Sequence, residues 1–437
     1  MPRPVRRSAR SRRPAPSRRF SVGGVFALLV PLALLVAIGI NPGSPTTSSS
    51  PTPSVDPSRA PGRLWLVPLI GGTQTADPSG QTIEGCIATF AGENERYGCM
   101  AGVMAHIGET STPANAVSAI AAQNETYPEF AAECHMLSHA VGIGVFRVIG
   151  MERVNEAIGI DSGLCGGGYH HGVIVSLAKS DPRFEADDPV TVASAFAEVC
   201  RMGTISETTP LERNCIHGSG HAIVVIHDYD IPKAIKVCQA YGDLPVQPGE
   251  VDGSERVTSC AHGAFMENGW SGRVIGGPWT RLDDPSYPCA EFGDLGASCW
   301  FNVPYQMAGD NYTRAEVAEV CDTAGTERWA AECWVGFSRS AASVISPETT
   351  AARCEGTSDD WGMPRCIAEA AAELIDLFAD PDAALATCLV PENGDPAVCA
   401  RSVGEASART VVPDPCDRFE AATLRDACRA GYRGDPQ

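Results

Sequence analysis

T-R-A-E-V-A-E-V-C-D-T-A-G-T-E-R-W-A-A-E-C, Thr313 to Cys333, contains the unit from which the chain is built. Thr313 and Glu316 stand in capping-box spacing, which satisfies the free amides at a helix start, and the segment that follows runs to Cys321. The loop D-T-A-G-T-E-R-W is polar, and Cys333 opens a second helix with Gly336 three places on. A disulfide between the two cysteines would staple this helix–loop–helix hairpin.

The frame recurs along the chain. The eighteen cysteines fall into neighbouring couples: Cys86 and Cys99, Cys134 and Cys165, Cys200 and Cys215, Cys238 and Cys260, Cys289 and Cys299, Cys321 and Cys333, Cys354 and Cys366, Cys388 and Cys399, Cys416 and Cys428. Helical segments end on Cys238 (I-P-K-A-I-K-V-C) and Cys388 (P-D-A-A-L-A-T-C), with Pro232 suited to a helix start. Glycine again stands three places past the second cysteine at Gly102, Gly168, Gly218 and Gly263. First members in the C-terminal half recur every thirty residues or so (roughly), the mark of stacked supersecondary units. Spacing favours pairing within couples, although sequence does not fix connectivity, and each closed loop contributes on the order of 3 kcal/mol. Two places break the repeat: the enlarged loop between Cys134 and Cys165, where M-E-R-V-N-E-A-I reads as an additional helix, and the glycine-, proline- and aromatic-rich stretch from Glu267 to Pro288.

In period and cysteine placement, from Cys86 to Cys428, the chain resembles cysteine-stapled helix-pair repeat proteins of the Sel1-like or tetratricopeptide-like kind. The alanine, glycine and tyrosine consensus of those families is not evident, so the resemblance carries over no residue roles. It implies an α-solenoid whose concave face binds something. The expected fold is all-α, an α-solenoid of disulfide-stapled helix–loop–helix repeats.

Residues 1–21 hold eight arginines and no acid and read as a cytoplasmic tail; residues 22–40 form an uncharged apolar run of nineteen. That run stands at the lower end of the roughly 20 residues a spanning helix needs, and flanking arginines stay on the cytoplasmic side. The expectation is a single-pass signal anchor with an extracytoplasmic body; if the run is instead a cleaved signal peptide, the body is secreted. Residues 41–62, rich in proline, serine and threonine, form a tether, followed by a histidine-containing repeat region at 63–288 and cysteine-stapled repeats at 289–437. Without the tail the chain carries 25 basic and 53 acidic residues (33 − 8 = 25), an excess of 28 negative charges that argues against a nucleic-acid partner. An even cysteine count without C-x-x-C suits disulfides in an oxidising compartment rather than a zinc ribbon or iron–sulfur cluster.

All nine histidines lie between His106 and His262, while the cysteine frame continues to Cys428. Counted from each second cysteine, the second and sixth positions share a helix face. They hold His171, His217 with His221, and His262 with Met266; His135 and His139 come from the preceding helix, and His170 adjoins. Imidazole is the commonest metal ligand, and the expected helix-start positions disfavour its protonated form. His135, His139, His170, His171, His217, His221 and His262 are therefore candidate metal ligands. Met136 and Met266 would admit copper, while Glu267 would favour zinc, iron or manganese. His106 and His227 read as structural. No H-E-x-x-H, G-x-S-x-G or P-loop is present, so no motif assigns a reaction; Glu267 is the candidate acid or base. The leading reading is a membrane-anchored metal-binding protein, extended to a metal-dependent enzyme. The alternatives are a non-enzymatic scaffold binding a protein or envelope ligand in its concave face, and a metal-free histidine–glutamate acid–base enzyme.

Overall fold

The computed structural model describes residues 80–435 except 161–163, 203–208, 248–249, 273–275, 310–311, 344–345, 359–360, 377, 379 and 411. The arginine-rich tail, the apolar run 22–40 and the tether 41–62 lie outside the described residues. Those described form nineteen α-helices with short 3₁₀ and π turns and no strand.

The fold is an all-α solenoid organised on one row of ten helices, each packed on the next: α1 (Glu93–Thr110), α2 (Cys134–Ile149), α3 (Gly168–Ala178), α4 (Thr209–Ile226), α5 (Gly253–Glu267), α6 (Gly296–Gly309), α7 (Glu327–Arg339), α8 (Met363–Asp376), α9 (Pro396–Arg409) and α10 (Ala422–Tyr432). Shorter helices flank the row and are started by side chains legible in the sequence. Asp188, Asp230, Ser346 and Asp380 each accept an amide of the first turn beside a proline, and Thr313 with Glu316 forms the full capping box.

Every cysteine is paired within its couple. In most units the bond ties a flanking segment to the row helix after it, as Cys321 in Arg314–Asp322 to Cys333 in α7. The second cysteines do not open helices as expected. Cys215, Cys260 and Cys333 lie inside α4, α5 and α7; the caps of α5 and α7, Asp252 and Thr326, stand upstream of the cysteine. The Cys134–Cys165 bond is different: it joins the first residue of α2 to the turn that leads into α3, two neighbours in the row. The enlarged loop between them carries the additional helix, Val154–Ile158.

Glycine sets the spacing of the row where the histidines sit. A β-carbon on Gly220 would lie 2.1 Å from the Cys260 carbonyl oxygen, and one on Gly263 2.0 Å from that of His217, so α4 and α5 touch backbone to backbone through a reciprocal glycine pair. Gly142 and Gly172 make the same crossing between α2 and α3, at 2.1 Å each from the Tyr169 and His139 oxygens. Helices this close bring side chains flanking the glycines within coordination distance of one another. Among the described residues no single helix is long and apolar enough to cross a membrane. Among them only α2 with its continuation to Ile158, bent by 104°, passes by length and composition, and most of the apolar side chains of α2 are buried in the row, with Val148 exposed.

Candidate metal centre

Three consecutive row helices deliver five imidazoles to one place. α2 presents His135 and His139 one turn apart, α3 presents His171, and α4 presents His217 and His221 one turn apart. The His171 ring lies at the middle: its centroid is 5.1 Å from His135, 5.3 Å from His139, 5.2 Å from His217 and 5.1 Å from His221. One ligand atom each from His135, His171 and His221 lie within 4.8 Å of one another. His171 and His221 are fully buried and His135 is 9% exposed.

The rings are held from behind. The Nδ1–H of His135 donates to the Cys165 carbonyl at 2.8 Å, which leaves the Nε2 lone pair directed into the cluster. That carbonyl is aimed by three successive left-handed residues, Cys165 (φ 55°), Gly166 (φ 61°) and Gly167 (φ 76°), a turn that glycine tolerates and the Cys134–Cys165 disulfide fixes. The Nδ1–H of His221 donates to Glu267 Oε2 at 2.9 Å, and the Tyr229 hydroxyl donates to Glu267 Oε1 at 3.2 Å. Tyr229 reaches the carboxylate because Asp228 and Tyr229 both take left-handed backbone (φ 52° and 61°) at the end of α4. A carboxylate or a backbone carbonyl behind an imidazole is the arrangement that orients metal-binding histidines. Glu267 thus stands behind a ring, not in front of one. Both nitrogens of His171 are buried without a hydrogen-bond partner.

Burial first, and then the neighbouring rings, push four of these imidazoles, His135, His139, His171 and His217, towards the neutral form. His135 is pushed down to about 4, by burial and then by His221. His139, His171 and His217 lie well below the usual histidine range, again by burial and then by their ring neighbours. His135 and His171 stand in the first turns of α2 and α3, as expected, whereas His217 lies in the middle of α4. Neutral imidazole is the form that coordinates, and such a donor set suits zinc, copper, iron or nickel. An ion held by these three donors alone, His135, His171 and His221, would keep coordination positions for water or substrate, the pattern of catalytic rather than structural sites.

No described protein family, no curated protein and no solved structure matches the chain. The geometry therefore carries the functional reading.

Of the seven candidate ligands, the structure brings together His135, His139, His171, His217 and His221. His170 turns away, its Nε2–H donating to the Ile160 carbonyl at 2.8 Å, because adjacent residues on a helix point about 100° apart. The His262 ring stacks on Phe301 at 4.8 Å and 12°, outside the five-ring group. Its register position equals that of His217, but it turns to the α6 side of its helix. Trp270, edge-on to His135 at 6.0 Å, and Tyr229 belong to the site and were not among the candidates. Trp270 sits in the aromatic loop that interrupts the repeat, which was its only signal; Tyr229 had none.

Proposed function

We propose that the chain is a transition-metal-binding protein whose ion is held by His135, His171 and His221, with His139 and His217 completing the ring cluster. The observation that carries the reading is the convergence of three buried imidazoles from three helices, with His135 and His221 each anchored through Nδ1 by a carbonyl or carboxylate. Structural packing would not require His171 to hide two nitrogens from every partner, at about 1–3 kcal/mol for each unpaired polar group. Open coordination positions make the centre competent for metal-dependent catalysis, with Glu267 positioning His221. The apolar run 22–40 serves as anchor and the body works outside the cytoplasm, a placement that nine disulfides support.

The test is elemental analysis of the chain made in an oxidising compartment, beside His171→Ala. Metal bound in the parent and lost from a variant with unchanged circular dichroism supports the reading. A parent that binds no zinc, copper, iron or nickel after reconstitution refutes it.

A further inference from the structure

The cluster contains more donors than one ion takes. A tetrahedral ion accepts at most four imidazoles, and the three-donor set leaves His139 and His217 over. These two are not idle. The Nε2 atoms of His135 and His139 stand 3.3 Å apart, and those of His217 and His221 stand 3.2 Å apart. Two nitrogens bound at about 2.05 Å to one tetrahedral ion are separated by about 3.3 Å. Each one-turn pair therefore already has the span of a two-point ligand for an ion of its own.

His171 packs against both pairs, which also meet directly, the His139 and His221 rings lying 5.5 Å apart. Its ring is 5.1 to 5.3 Å from all four others and is fully buried, with neither nitrogen partnered. A single ion would use one of these nitrogens and leave the other a buried donor with no acceptor. Two ions would use both.

We propose that the centre is dinuclear, one ion gripped by His135 and His139, the second by His217 and His221, with His171 bridging them through Nδ1 and Nε2. The proposal rests on the reading of the cluster as a metal site. On binding the second ion, the N–H of His171 breaks, its proton leaves to solvent, and the ring becomes an imidazolate whose two lone pairs each bond one ion. The bridging anion offsets part of the charge that two cations bring into a buried site, a cost that Glu267 behind His221 further reduces. The ions are of the imidazole-seeking class, copper or zinc.

The experiment uses the full chain, freed of metal by chelation and titrated with zinc and, separately, with copper(II). Ions per chain are counted by mass spectrometry, and protons released per ion are followed in weak buffer. The expected result is two ions per chain, an extra proton released with the second, and a copper-loaded protein whose paramagnetic resonance shows two interacting ions. His135→Ala with His139→Ala, and separately His217→Ala with His221→Ala, should each retain one ion with an uncoupled copper signal. One ion per parent chain at saturation overturns the dinuclear reading and leaves the metal centre standing; none overturns both. Total loss of metal from a folded pair variant also overturns it, since a single shared ion would behave that way. Should the pair variants fail to fold, the parent stoichiometry decides alone.

Discussion

Glu267→Gln isolates the charge behind His221 from the shape that holds it. Glutamine fills the same volume, and its carbonyl oxygen can accept the His221 Nδ1–H that Glu267 Oε2 accepts at 2.9 Å. The amide then faces Tyr229, whose hydroxyl changes from donor to acceptor over the present 3.2 Å. Orientation survives, and what is lost is the negative charge that makes His221 a stronger electron donor. Carboxylates in this position change metal affinity by about 10- to 100-fold, or about 1.4–2.7 kcal/mol. Glu267→Ala should cost more, because it also leaves the Nδ1–H of a fully buried ring without an acceptor, a further ~1–3 kcal/mol. The assay is competition for zinc against a chromogenic chelator, with circular dichroism of the metal-free proteins as the fold control. An affinity for Glu267→Gln within about twofold of the parent, in a folded protein, would refute the argument that Glu267 acts on the metal through His221.

Three further outcomes are expected. Replacing Cys134 and Cys165 together by alanine frees the carbonyl that holds His135 and should weaken metal binding at least about tenfold, whereas the same change at Cys416 and Cys428, far along the row, should leave it within about twofold; chelator competition on both compares them. Gly263→Ala places a β-carbon 2.0 Å from the His217 oxygen; it should push α4 from α5, lower stability to urea by about 1–3 kcal/mol or more, and reduce metal affinity with it. His262, pushed down from 6.5 to about 4 by burial and then by Arg339, stabilises the metal-free fold while neutral. The unfolded ring takes up a proton below 6.5 that the folded ring refuses, so this contribution is present above 6.5 and is lost as pH falls towards 4, by about 2 kcal/mol after allowing for partial exposure. Urea unfolding across that interval should show a shallower acid loss in His262→Phe than in the parent, and equal slopes would count against it.

The repeat was legible because its determinants are local. Caps such as Thr313 with Glu316, proline after Asp188 or Asp380, and cysteines set ten to fifteen residues apart act between near neighbours in the chain, so their spacing in sequence is their spacing in space. The one-turn pairs on α2 and α4 were legible for the same reason, since 3.6 residues per turn puts positions four apart on one face.

The sequence by itself determined that this is an all-α array of cysteine-bearing helical repeats, and that histidines crowd its N-terminal part. Which of them meet was decided only by the tertiary structure. His217 and His262 hold the same place after their cysteines, yet His217 stacks on His171 of α3 and His262 lies against Phe301 of α6, on opposite sides of the Gly220–Gly263 contact that joins their helices. The roles of Glu267, Tyr229 and the Cys165 carbonyl likewise depend on left-handed turns and on contacts between residues thirty or more apart in sequence, such as His135 with Cys165. Distances of that kind are properties of packing, and no periodicity along the chain encodes them.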